Sequence, residues 1–246
     1  MTTRLCLAFV LLLCVTACAT PPQQTTQDPT VPQRILFVGN SFTYYNNSLH
    51  NHLRRLISAG KLNTDSTRLR IMTISGGRLP EHGPAMPAMV ASEPWDVVVM
   101  QGHSRGPISP DTARPFQLAA SDFSKIIRDA GAEPVFFMTW AYADKPEMTE
   151  KLAEAYLGVG EKLGARVAPV GLAFETARQK HPTISLTTSD KRHPTIAGTY
   201  LAASVFYALF FEQSPVGLNY HAGLAEDDAG ALQLVAWDTV QAFLKK

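Results

Sequence analysis

Two short stretches of this sequence hold residues of the types that activate a hydroxyl. The first is Gly39-Asn40-Ser41-Phe42-Thr43, where a serine follows a glycine that ends an apolar run. The second is Asp190-Lys191-Arg192-His193-Pro194, an acid and an imidazole three residues apart just ahead of a helical pattern. A serine hydroxyl is a poor nucleophile at neutral pH and needs an imidazole within hydrogen-bond reach to take its proton. The imidazole in turn needs a carboxylate to set its tautomer and stabilise the imidazolium. Pro194 disfavours helical geometry at His193 and so holds the ring ahead of the helix. Each stretch also has a plainer reading: a serine before a helix is usually an N-cap, Asp190 could cap a turn, and His193 could stand at the surface. Together, a GNS turn and a later Asp-His pair in one chain make Ser41, Asp190 and His193 the candidate triad.

These residues lie far apart in sequence, so the fold must bring them to one edge. Short apolar runs over 34–38, 69–74, 95–100, 134–139 and 166–170 read as buried strands. Between and after them, apolar residues recur at helical spacing over 49–57, 116–130, 147–163, 195–211 and 227–244. Strands alternating with helices imply an α/β fold, a three-layer α/β/α sandwich around a five-stranded parallel sheet. Ligand sites of such sheets lie outside the carboxyl ends of the strands. Ser41 follows the first strand, which puts it at that edge.

Taken together, the blocks resemble the SGNH/GDSL hydrolases. Gly39-Asn40-Ser41 is similar to their first block, in a GNS form, and Asp190-x-x-His193-Pro194 with Gly198 and Tyr200-Leu201-Ala202-Ala203 to their last. The resemblance spans about 34–210 and implies a flavodoxin-like fold and ester hydrolysis by a Ser-His-Asp triad, without metal or cofactor. It also directs attention to two oxyanion donors. In the loop after the second strand, Ser75-Gly76-Gly77-Arg78 fits, with Gly77 matching better and Gly76 remaining open. After the third strand the family's usual Gly-x-Asn-Asp is replaced by Gln101-Gly102-His103-Ser104. Some carbohydrate esterases of the superfamily carry Gln-Gly-Glu there, so the expected hole is the N–H groups of Ser41 and Gly77 with the Gln101 amide, Ser104 being the alternative. Asn40, His103, Ser104, Trp140 and Tyr142 are expected around the pocket. Trp140 and Tyr142, after the fourth strand, serve equally as core residues.

The remaining signals bound where the protein works. A net charge of +1 and no basic run argue against a nucleic-acid partner. The three cysteines, Cys6, Cys14 and Cys18, all precede residue 19, which excludes thiol chemistry from residues 19–246. Arg4 and the apolar run over 5–15 read as an export signal, too short for the ~20 residues that span a bilayer. Val15-Thr16-Ala17-Cys18 resembles a bacterial lipobox, with Cys18 carrying the anchor; an ordinary signal peptide containing Cys18 is the alternative. The expected organisation is a signal over 1–18, a Pro/Gln-rich linker over 19–33 and a hydrolase domain over 34–246. The expected partners are a small-molecule or glycan ester and, through the anchor alone, the membrane of a bacterial cell envelope, facing the periplasm and most simply the outer membrane. His50 and His52 are expected to be solvated, since their i, i+2 spacing points them to different helix faces. His82 and His181 lack partner clusters, and His221 is only a weak pocket candidate.

Overall fold

The structure is a computed structural model that describes residues 31–62 and 67–245. The expected signal and anchor at Cys18, and the linker up to residue 30, lie outside the described residues. Five strands form one all-parallel sheet: β1 (Arg34–Gly39), β2 (Arg68–Thr73), β3 (Val97–Gln101), β4 (Glu133–Phe137) and β5 (Arg166–Ala168). Their order is β2-β1-β3-β4-β5, so the chain reverses direction across the sheet between β1 and β3 and opens a crevice there. Along β1, Ile35 and Phe37 enter one apolar layer while Leu36 and Val38 enter the other. Burial on both faces is why the strand reads as a continuous apolar run rather than an alternating one.

Helices α2 (Leu49–Ala59), α6 (Val170–Lys180), α7 (Ile196–Phe211) and α8 (Glu226–Leu244) cover one face. Helices α3 (Met86–Ala91), α4 (Pro110–Asp129) and α5 (Met148–Leu163) cover the other. The one-turn helix α1 (Ser41–Tyr44) carries the candidate serine at the edge of the sheet. Every residue of α7 from Ala197 to Phe211 is buried, because the sheet lies on one side and α2, α6 and α8 close the others. That enclosure explains a helix apolar on all sides; among the described residues no helix is long and apolar enough to cross a membrane.

Three helices depart from the sequence reading, which contained neither α3 nor α6 and started α4 late. The run at 166–170 stops being strand at Ala168, and α6 starts at once from Val170 with Pro169 at its N-cap. A short apolar run fits a strand or a buried helix equally well, and here one residue separates the two. Helix α4 begins at Pro110 rather than at 116, carrying Pro115 inside its second turn. The ring there removes one hydrogen bond, which the apolar side chains Phe116, Ala119, Ala120, Phe123 and Ile127 buried along the helix offset.

Candidate functional site

The chain turns sharply at Gly39. A Cβ on Gly39 would lie 2.5 Å from Thr43 Oγ1 and 2.6 Å from Gln101 Oε1, so only glycine fits where β1 meets β3. Asn40, rather than Ser41, caps α1: its Oδ1 accepts from the Phe42 N–H at 3.1 Å. The Asn40 amide also donates to the Gly77 carbonyl at 2.9 Å, tying this turn to the loop after β2. Beneath it, the His82 ring donates from Nε2 to the Gly39 carbonyl at 2.9 Å. With capping assigned to its neighbour, the Ser41 hydroxyl is left for another partner.

That partner comes from the loop before α7. Thr187 and Pro194 form an isolated antiparallel bridge, the Thr188 N–H donates to the His193 carbonyl at 2.8 Å, and Lys191 turns the chain at φ 67°. The Trp140 indole donates to the Arg192 carbonyl at 2.9 Å, and the Asn46 amide to the Pro194 carbonyl at 2.8 Å. In this frame Asp190 Oδ1 accepts from the N–H groups of Arg192 and His193 and from the Thr188 hydroxyl. Asp190 Oδ2 lies 2.5 Å from His193 Nδ1, and His193 Nε2 lies 3.0 Å from Ser41 Oγ. Since the carboxylate is an acceptor, Nδ1 carries the proton and Nε2 is free to accept from the serine. Partial burial opposes ionisation of Asp190, but the His193 ring, the two N–H groups and the Thr188 hydroxyl outweigh it and hold the carboxyl well below the usual range. The Tyr45 ring stacks on His193 at 4.4 Å, and Phe42 meets it edge-on.

A cavity of about 150 Å³ opens beside the serine, lined by Asn40, Ser41, Phe42, Gly76, His103, Ser104, Tyr142, Arg192 and His193. The N–H groups of Ser41 and Gly76 have no hydrogen-bond acceptor among the described residues. Both therefore remain able to hold an oxyanion. Gly77, favoured by the sequence, is different: its N–H donates to the Ile74 carbonyl at 2.9 Å, closing a tight turn in which Gly76 takes φ +65°. Gln101 is different as well. Its Nε2 donates to Asn40 Oδ1 at 2.7 Å and to the Gly102 carbonyl at 2.9 Å, while its Oε1 accepts from the Thr43 hydroxyl at 2.6 Å. Both amide hydrogens are taken and the side chain does not line the cavity, so Gln101 holds the strand ends together rather than offering a donor to the cavity.

Trp140 is not a pocket wall either. It is wholly buried between Phe42 and Phe174, stacked at 4.2 and 4.1 Å, where it positions the Arg192 carbonyl. Tyr142, His103 and Ser104 do line the cavity, linked by hydrogen bonds between Tyr142 OH and Ser104 Oγ (2.8 Å) and between Ser104 Oγ and His103 Nδ1 (3.4 Å). Burial, with the cations of Arg78, Arg105 and Arg192, lowers the proton affinity of His103 below that of an ordinary histidine.

No family model and no curated protein matches this sequence. Solved structures do. A protein from Slackia heliotrinireducens assigned to the SGNH hydrolases is 31% identical over 71% of this chain and 97% of its own, with a TM-score of 0.59. This chain belongs to the SGNH hydrolases. It is an ester-bond hydrolase of that superfamily. A DUF4886 family protein from Bacteroides uniformis shares the hydrolase's fold at a TM-score of 0.69, with 18% identity over 85% of this chain and 94% of the other. An acetyl xylan esterase matches at 0.60, with 14% identity over 71% and 98%.

Several residues of the hydrolase's site escape a reading of the sequence. Tyr45 lies four positions after Ser41, a spacing that places both on one side of a helical turn, and that is the only local signal for its stacking on His193. Arg192 stands in the sequence as a mere spacer between Asp190 and His193. His52, expected in solvent, is buried: Nε2 donates to the Asn46 carbonyl at 2.6 Å and Nδ1 meets the Tyr220 hydroxyl at 2.8 Å. His82 proves to be a buried buttress of β1. His221 does not line the cavity.

Proposed function

We propose that this hydrolase removes acetyl or similarly small acyl groups from glycan or other envelope esters by two-step acyl transfer. One observation carries the reading: an unbroken chain from Ser41 Oγ to His193 Nε2 (3.0 Å) and from His193 Nδ1 to Asp190 (2.5 Å), beside an open cavity. Ser41 Oγ attacks the ester carbonyl as His193 takes its proton, and the N–H groups of Ser41 and Gly76 hold the oxyanion, with His103 and Ser104 on the third wall. His193 then protonates the leaving alcohol. In the second half, His193 takes a proton from water, which attacks the acyl-Ser41 ester, and collapse of the second tetrahedral state frees the acid and restores Ser41. A cavity of about 150 Å³ suits an acetyl-sized group better than a long acyl chain, which supports a small-acyl esterase over a lipase or thioesterase. The fold shared with an acetyl xylan esterase supports a carbohydrate substrate. The lipobox-like Val15-Thr16-Ala17-Cys18 supports anchoring at the bacterial envelope by lipid alone.

The test is hydrolysis of p-nitrophenyl acetate by the purified protein beside Ser41→Ala, with fluorophosphonate labelling of Ser41. The expected result is turnover and labelling that both vanish in Ser41→Ala. Equal rates in the two proteins would instead favour a catalytically silent glycan-binding lipoprotein.

A further inference from the structure

The cavity beside Ser41 carries more positive charge than acyl transfer requires. Arg192 lines it directly, and its guanidinium lies 4.9 Å over the Tyr142 ring, another lining residue. Its backbone is held at both ends, N–H to Asp190 and C=O from the Trp140 indole, so the cation is rooted one residue from the catalytic imidazole. His103 lines the same cavity and also an adjoining cleft together with Arg78, and Arg105 follows two residues later. Among the described residues none of Arg78, Arg105 and Arg192 is in an ion pair.

The acids nearby do not cancel this charge. Asp190 is committed to His193, Thr188 and two N–H groups. Glu81 accepts from the Arg78 N–H, and its charge acts on the His103 ring against those of Arg78, Arg105 and Arg192. Exposed Asp144 is followed directly by Lys145, and Lys191 adjoins Arg192. A guanidinium stacked on an aromatic ring and left without a carboxylate is a fork ready for a planar or tetrahedral anion.

Resting on the small-acyl esterase reading, we propose that this site selects esters whose alcohol portion carries an anionic group, a carboxylate or a phosphate, which Arg192 binds while Arg78 and Arg105 supply an attracting field. The alcohol side is the one assigned because the cavity at Ser41 holds little more than the acyl group, leaving the charged part of the substrate at the rim where the exposed Arg192 side chain lies.

The experiment compares kcat/KM for three probes on the full-length protein: methyl O-acetylglucoside, methyl O-acetylglucuronoside, and acetylglycerol phosphate. The expected result is a preference of about tenfold or more for one or both anionic probes over the neutral one, shrinking as salt rises. The glucuronoside and glycerol phosphate arms separate a carboxylated sugar from a phosphate source. Arg192→Gln should bring the anionic-to-neutral ratio toward one, Arg192→Lys should retain part of it, and Arg78→Gln and Arg105→Gln should lower it less. A wild-type ratio at or below one, or a ratio unchanged by Arg192→Gln, overturns the proposal. Absence of Ser41-dependent hydrolysis of p-nitrophenyl acetate overturns the esterase reading and this inference with it; hydrolysis of that neutral ester without anionic preference overturns this inference alone.

Discussion

Two polar clusters meet at the turn after β1, and they are built in opposite ways. On the inner side, Asn40, Thr43, His82 and Gln101 are at most 2% exposed, and their side chains are bonded to one another or to the carbonyls and N–H groups of the strand ends. On the outer side, the Ser41 hydroxyl reaches His193, whose side chain is 29% exposed, and Asp190, whose side chain is 44% exposed. There the Ser41 and Gly76 N–H groups keep unused capacity. A buried polar group without a partner is costly, so the inner cluster closes its own bonds, whereas the open donors of the outer cluster belong to residues lining the cavity that receives the substrate. Residues that look chemically equivalent in a sequence, such as a glutamine amide and a backbone N–H, are divided by this difference into supports and reagents.

The two clusters differ most at Ser41. Ser41→Ala should lower kcat by on the order of 10⁵- to 10⁶-fold while the unfolding free energy from urea denaturation stays within about 0.5 kcal/mol of wild type. A large stability loss would place Ser41 in the supporting cluster instead. Asp190→Asn comes next. The amide cannot stabilise the imidazolium as the carboxylate does, and kcat should fall by roughly 10²- to 10⁴-fold with KM little changed, read by steady-state kinetics. Because the folded-state proton affinity of Asp190 is depressed, its contribution to stability is present above its unfolded value and is lost only as pH falls through the lower folded one. An acid limb of activity near neutral pH therefore does not come from titration of Asp190 itself.

Gln101→Ala probes the inner side. It strands the Thr43 hydroxyl in a closed space and leaves Asn40 Oδ1 with the Phe42 N–H as its remaining donor, and the expected loss is about 2–4 kcal/mol of unfolding free energy, measured by chemical denaturation. If kcat collapsed with stability intact, Gln101 would be an oxyanion donor after all and the division between the clusters would fail. The smallest effect lies outside both. Burial, with the cations of Arg54 and Arg70 and a smaller contribution from His52, pushes His50 down to about 4 from an ordinary 6.5. The unfolded chain then binds more protons in that window, so stability should decline as pH falls from 6.5 toward 4. The ring is half-exposed, and after discounting for solvent screening the amplitude is about 1 kcal/mol; His50→Gln should flatten this part of the pH profile of thermal unfolding.

Sequence and structure divide the work along a physical line. The alternation of apolar runs and helical spacing, the Gly39-Asn40-Ser41 turn, and the Asp190–His193 spacing are local patterns, and a parallel sheet leaves few ways to arrange them. The sheet edge bearing Ser41, the α/β layers and the meeting of residues 152 positions apart were all readable from that alone. Helix α6 is hidden because its apolar start continues the β5 run without a break, and the start of α4 because Pro110 and Pro115 both resemble a boundary.

What the chain order alone left undetermined is where polar atoms point. Whether Gly76 or Gly77 keeps a free N–H depends on which one closes the turn onto Ile74, and the folded loop gives that bond to Gly77 with Gly76 at φ +65°. Whether Gln101 faces the cavity or the strand ends depends on Asn40 and Thr43, some sixty residues earlier in the chain. Trp140 became a buried strut, and Arg192 a cation at the cavity, through packing contacts that no sequence period encodes. Element identity follows from local spacing and the burial of apolar surface, which accumulate over many residues; donor direction rests on one or two hydrogen bonds between distant segments, and only the folded chain sets them.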